Sequence, residues 1–296
     1  SRVNQWLTHP VMQLDLWKNI MFKSSRKKLI AIGCSYTEHN LTSINSPDVD
    51  FDFPRWPQHL ADMLDMDCVN LGRSGSGNDQ ILAKTVDVVL NEKNIGLVVL
   101  MWSEWQRVNF QRYKDQSVWH HIRPYASSTD DHNLVDETWR KIWLSLSNTR
   151  HATRQTLRQF IHAEKLLRDL PYLFIQGTFN LPFYSTTKLK TIDCGEGTPY
   201  EKRNFSKVNN SRRMTTNEII ISPYFDYIEK NIGDKFIGWP IMHEIGGYSI
   251  DNILDKEDPE RLKYRISEDD SHPNAAGHKF IADFLCEQYK EIYNDY

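Results

Sequence analysis

The chain is 296 residues long, 40% apolar, 25% charged and 12% aromatic, with a formal net charge of −3. That composition suits an ordinary globular protein, and near-neutral charge excludes a general nucleic-acid binder, which needs a strong basic excess. No apolar run approaches the roughly 20 residues of a membrane-spanning helix.

The predicted elements alternate strand and helix. Residues 29–33 (LIAIG) are a short apolar run closed by glycine and read as a strand. Residues 56–66 have helical spacing through Trp56, Leu60, Met63 and Leu64. Residues 68–71 read as a second strand and 79–90 as a helix. Residues 97–102 (LVVLMW) are apolar throughout, the pattern of a strand buried on both faces. A helix is predicted over 153–167 and a fourth strand over 171–176 (PYLFIQ). The last helix, 275–293, places Phe280, Ile281, Phe284, Leu285 and Ile292 on one face, with Asn274 as its candidate N-cap.

This alternation implies a mainly parallel sheet covered on both sides, an α/β fold. Residues 1–296 read as one domain, with insertions over the sheet edge at about 103–150 and 178–260. The alternative for the second stretch is a small domain of its own. Cys34, Cys68, Cys194 and Cys286 stand far apart without a C-x-x-C pair, so reduced thiols are expected. Together with a first segment too polar for a signal core, they point to a cytoplasmic protein.

In open parallel sheets, ligands bind beyond the carboxyl ends of the strands. Four segments belong there: 33–37 (GCSYT), 70–78 (NLGRSGSGN), 102–107 (WSEWQR) and 269–274 (DDSHPN). Ser35, at a strand-to-helix turn, suits a nucleophile whose own N–H helps hold an oxyanion, or else a simple N-cap. Gly75 suits a second N–H donor, or else a tight connection. His272 follows Asp269 by three residues, close enough for the carboxylate to bond Nδ1 and leave Nε2 as a general base. Asp270 is the rival orienter, and Asp269 is preferred. His120, His121 and His132 lack the carboxylate or thiol spacing of a metal site.

Taken in order, GCSYT at 33–37, NLGRSG at 70–75 and DDSH at 269–272 resemble the dispersed blocks of the SGNH/GDSL hydrolase family, with Cys34 where an Asp is usual. The resemblance implies a flavodoxin-like three-layer α/β/α sandwich and ester hydrolysis by Ser35, His272 and Asp269, with no metal or organic cofactor. It implies an oxyanion hole from the N–H groups of Ser35 and Gly75 and an Asn side chain of a third block. Here that block reads Trp102-Ser103-Glu104-Trp105 in place of G-x-N-D. An ionised Glu104 would repel an oxyanion, and Asn78 is the candidate replacement, or else an ordinary helix-start Asn. Arg107, with Ser103 and Glu104, is a candidate substrate contact, or else a surface ion pair. Trp102 and Trp105 are candidates for stacking on a sugar, with core packing the other reading. The expected substrate is an O-acyl ester of a small molecule or carbohydrate, such as an acetylated sugar, with no nucleic acid as partner. Two alternatives share the fold: a degenerate binding module, and an O-acyltransferase using the same triad.

Overall fold

The computed structural model describes residues 26–42, 46, 48–111, 119–122, 138, 149–178, 213–267 and 270–293. Strand β1 (Lys28–Ile32), helix α1 (Trp56–Met63), β2 (Asp67–Asn70), α2 (Asn78–Asn91) and β3 (Ile95–Trp102) follow in chain order. Strands β4 (Val108–Gln111) and β5 (Trp119–Ile122) pair antiparallel as a separate two-stranded sheet. Helix α3 (Thr149–Leu167) and β6 (Tyr172–Gln176) come next. Helices α4 (213–221) and α5 (Tyr224–Asn231), strand β7 (Phe236–Ile237), α6 (Ile250–Glu257) and α7 (Ala275–Tyr293) complete the described elements.

The main sheet has the order β2-β1-β3-β6-β7, and every pairing in it is parallel. Counted among these strands alone, that is 2-1-3-4-5, the flavodoxin-like order. The order reverses between β1 and β3, so the crevice outside their carboxyl ends is where a ligand fits.

Alternation along each strand divides its side chains between two cores. Ile30, Ile32, Val98, Leu100, Trp102 and Phe174 meet Ile81 of α2 and Leu157, Phe160 and Leu167 of α3. Leu29, Ala31, Val99, Met101 and Leu173 meet Trp56 and Leu60 of α1, Leu254 of α6 and Ile281 and Leu285 of α7. Helices therefore cover both faces, giving three layers, α/β/α. Each fully buried Leu, Ile, Val or Phe contributes roughly 1.5–3 kcal/mol, so β3, buried from Gly96 to Trp102, anchors both layers. Local signals set the helix starts: Asn274 Oδ1 accepts the Gly277 N–H at 3.0 Å, and Ser249 forms a capping box with Asn252 on α6.

Two features differ from expectation. Within the stretch read as a second insertion, β7 joins the main sheet beside β6. A strand of two residues is too short to carry a periodic pattern. The serine turn also leads into no helix: the Thr37 and Glu38 N–H groups close back on the Cys34 carbonyl, and α1 begins only at Trp56. Among the described residues, no helix is long and apolar enough to cross a membrane.

Candidate active site

Strand β1 ends at Ile32, and the turn after it lifts Ser35 to the sheet's upper rim. Gly33 permits this turn, since a Cβ there would come 2.3 Å from Thr37 Oγ1. From the other end of the chain, the segment before α7 folds back on itself. The Ile266 N–H reaches the His272 carbonyl at 2.9 Å, and the Asp270 N–H reaches Ser267 Oγ at 3.1 Å. The two segments meet. His272 Nε2 lies 2.9 Å from Ser35 Oγ, and His272 Nδ1 lies 2.6 Å from Asp270 Oδ1.

The carboxylate on the imidazole is that of Asp270, the rival orienter; Asp269, the preferred one, lies outside the described residues. The same Oδ1 also accepts the backbone N–H of His272 at 3.1 Å. Asp270 is buried at 1% exposure, while the His272 side chain keeps 27%. With Oδ1 accepting from Nδ1–H, the lone pair of Nε2 faces the serine hydroxyl. That tautomer prepares Nε2 to take a proton.

The glycine loop after β2 packs on the serine turn. The Arg73 N–H donates to the Gly33 carbonyl at 3.0 Å, the Ser74 N–H to Glu38 Oε2 at 2.8 Å, and Asn70 Nδ2 to the Thr37 carbonyl at 2.6 Å. Gly75 sits at φ +79°, a left-handed conformation that favours glycine. A Cβ on it would also come 3.0 Å from the ring of His121. Among the described residues, the N–H groups of Ser35 and Gly75 meet no acceptor, so both remain available to a ligand.

Residues the sequence did not flag hold this loop. Asn109 of β4 accepts the Gly77 N–H on Oδ1, and its Nδ2 donates to the Gly75 carbonyl at 3.3 Å and to His121 Nδ1 at 2.7 Å. Its own N–H bonds Asp79 Oδ2 at 2.8 Å. No local pattern announced this, because Asn109 acts through a hairpin that is mostly polar.

Asn78 does not replace the missing third-block Asn. Its Oδ1 accepts the Ser103 N–H at 2.8 Å and its Nδ2 points to Thr156 Oγ1 of α3 at 3.4 Å, so the amide ties α2 to β3 and α3. Arg107, Ser103 and Glu104 come together, but as a buried structural cluster and not as a substrate contact. Arg107 Nη2 meets Glu104 Oε1 at 2.7 Å and Nη1 meets Ser103 Oγ at 3.0 Å, with side chains of the ion pair 4% and 1% exposed. Burial opposes the guanidinium charge, but Glu104 and the adjacent Cys34 hold its pKa above the ordinary value. Arg107 thereby offsets the charge of the buried Glu104 carboxylate. Trp102 and Trp105 both pack on Phe160, and the Trp105 indole N–H bonds Gln176 Oε1 at 3.0 Å, so neither is free to stack on a sugar.

His120 and His121 stand on β5, and His132 and Cys194 lie outside the described residues. Among the described residues no group of three His, Cys, Asp or Glu side chains gathers as metal ligands.

No family model matches the chain, and no curated protein does. Solved structures similar to it include a putative lipolytic protein of the G-D-S-L family from Desulfitobacterium hafniense, at 12% identity and TM-score 0.43, covering 88% of this chain and 99% of that one. A member of the lipolytic G-D-S-L family from Veillonella parvula is 10% identical, at TM-score 0.40, with 90% and 98% covered. The psychrotrophic esterase EstA from Pseudoalteromonas sp., in a structure inhibited by monoethylphosphonate, is 9% identical at TM-score 0.43, with 90% and 99% covered.

Proposed function

We propose that this chain is a serine ester hydrolase of SGNH/GDSL type, with Ser35 as nucleophile, His272 as general base and Asp270 as the carboxylate that orients it. One observation carries the reading: two hydrogen bonds, 2.6 and 2.9 Å long, link Asp270 Oδ1, the His272 ring and Ser35 Oγ at the switch point of the sheet. Catalytic hydrogen-bond reach is about 2.6–3.2 Å, so the three groups need no rearrangement.

The chemistry runs in two halves. Ser35 Oγ attacks the ester carbonyl carbon as its proton passes to His272 Nε2. The tetrahedral intermediate collapses, the C–O bond to the alcohol breaks, and the alcohol leaves with the proton from Nε2. Water then attacks the acyl-serine, giving a proton to Nε2, and the acid departs as Ser35 recovers its hydrogen. Asp270 stabilises the imidazolium formed in each half. The N–H groups of Ser35 and Gly75 receive the negative oxygen, each such donor being worth roughly 2.7–4 kcal/mol of barrier.

The substrate class we infer is an O-acyl ester of a small molecule or carbohydrate, such as an acetylated sugar. The test is turnover of short-chain aryl esters and acetylated sugars by the wild type, Ser35→Ala and His272→Ala. Wild-type hydrolysis that falls at least about 10³-fold in both variants supports the reading. Undiminished turnover in Ser35→Ala overturns it.

A further inference from the structure

The residue after the candidate nucleophile and the residue before the candidate base are joined by a buried polar strut. Tyr36 Oη lies 2.8 Å from the Ser271 carbonyl and 2.8 Å from Asp251 Oδ1. Arg265 Nη1 closes the same knot, donating to the Ser271 carbonyl at 2.6 Å, to Asp251 Oδ1 at 2.9 Å and to Tyr36 Oη at 3.0 Å. Its Nη2 reaches Asp255 Oδ1 at 2.9 Å, so both prongs of the fork are fixed to α6. The Tyr36 ring also meets the His272 imidazole edge-on, with centroids 5.5 Å apart.

We propose that Arg265 and Tyr36 are positioning residues that set the separation between Ser35 Oγ and His272 Nε2. This rests on the hydrolase reading and adds to it the device that aligns its two reacting groups. The case is mechanical. Ser35 and His272 come from segments 237 residues apart, and among the described residues no backbone hydrogen bond joins their two turns. The phenol and guanidinium supply the missing link, one residue away from each reacting side chain. A planar guanidinium holds several oxygens in one rigid frame, which a flexible ammonium cannot.

Stability alone does not explain such a knot. The Arg265 side chain is 1% exposed and its partners Asp251 and Asp255 are 18% and 10% exposed. Buried ion clusters of this kind are often no more stabilising than apolar side chains of similar volume. What the cluster does supply is fixed geometry. Burial and Asp251 raise the Tyr36 pKa far above its ordinary value, so the phenol keeps its proton and remains a donor. A misplacement of about 1 Å can cost a rate about 10²-fold, so the strut has leverage on the reaction.

The test uses Arg265→Lys and Tyr36→Phe in the full chain, with kcat normalised to the fraction that reacts with a fluorophosphonate. Expected are a fall in kcat of about 10–100-fold for Arg265→Lys and about 10-fold for Tyr36→Phe, with KM within twofold of wild type. The downfield Nδ1–H resonance of His272, read by NMR in histidine-labelled protein, should broaden or vanish in both. Unchanged normalised kcat and an unaltered resonance, even with a lowered melting temperature, overturn the proposal and leave the cluster purely structural. Should the wild type neither react with the probe nor turn over esters, the hydrolase reading fails by itself. The resonance then decides the strut alone: loss in the variants supports it, persistence overturns it.

Discussion

One oxygen, Oδ1 of Asp270, receives both the backbone N–H of His272 at 3.1 Å and the ring Nδ1–H at 2.6 Å. Fixing peptide and ring together selects one tautomer, the one with Nε2 free to accept. Asp270→Asn presents an amide that favours the opposite tautomer, and kcat is expected to fall by about 10³–10⁴. Asp269→Asn should leave kcat within a few-fold. Steady-state kinetics of both variants check this, and an equal or larger loss in Asp269→Asn contradicts it. Sequence spacing could not choose between the two, since either lies within one turn of the histidine. The loop brings Asp270 to the ring, with the Ser267 N–H reaching the Asp270 carbonyl and the Asp270 N–H reaching Ser267 Oγ. Ser35 and His272 were legible because strand ends and a helix start mark their places. Tyr36 and Arg265 were not, since neither stands in a pattern that marks a site and only the fold brings them together.

At the scale of elements, the start of α2 and the end of β3 bring together a set of buried polar side chains, among them Asn78, Gln80, Ser103, Glu104 and Arg107. An ion pair of Arg107 was one of the two readings, but at the surface; its burial was not legible, because nothing local says that the guanidinium reaches Glu104, Ser103 Oγ and the Ser76 carbonyl together. Removing the guanidinium takes this ion pair from the buried Glu104 carboxylate, so Arg107→Ala should cost about 3–5 kcal/mol by urea unfolding. A cost below about 1 kcal/mol, the size of an exposed pair, contradicts this burial. Asp79, in the first turn of α2, accepts the N–H of Asn109 from the hairpin. Burial pushes its pKa up to about 6, outweighing the N–H groups of Asn109 and Gln80 that favour the charged form. Because the folded value exceeds the ordinary 3.8, its contribution is fully present at lower pH and is lost as pH rises through about 6. Between pH 4 and pH 7 the wild type should therefore lose up to about 3 kcal/mol relative to Asp79→Asn. Unfolding curves of the two proteins that stay parallel over this range contradict the assignment.

For the whole molecule, the apolar runs that became β1, β3 and β6 fix the middle of the sheet, and their two-faced burial dictates helices on both sides. That much was legible, as was α7 with its Asn274 cap. The edge was not: β7 has two residues, and its place beside β6 follows from packing of Phe236 and Ile237 into the two cores. The consequence of the 2-1-3-4-5 order is that β1 and β3 open a crevice at their carboxyl ends, with Ser35 above β1 and the segment before α7 returning to meet it. The most direct test of the central claim is peptide mass analysis after reaction with a fluorophosphonate. The account predicts one adduct per chain, on the peptide carrying Ser35, and none in His272→Ala. An adduct on another serine, or no adduct in a folded wild type, contradicts it.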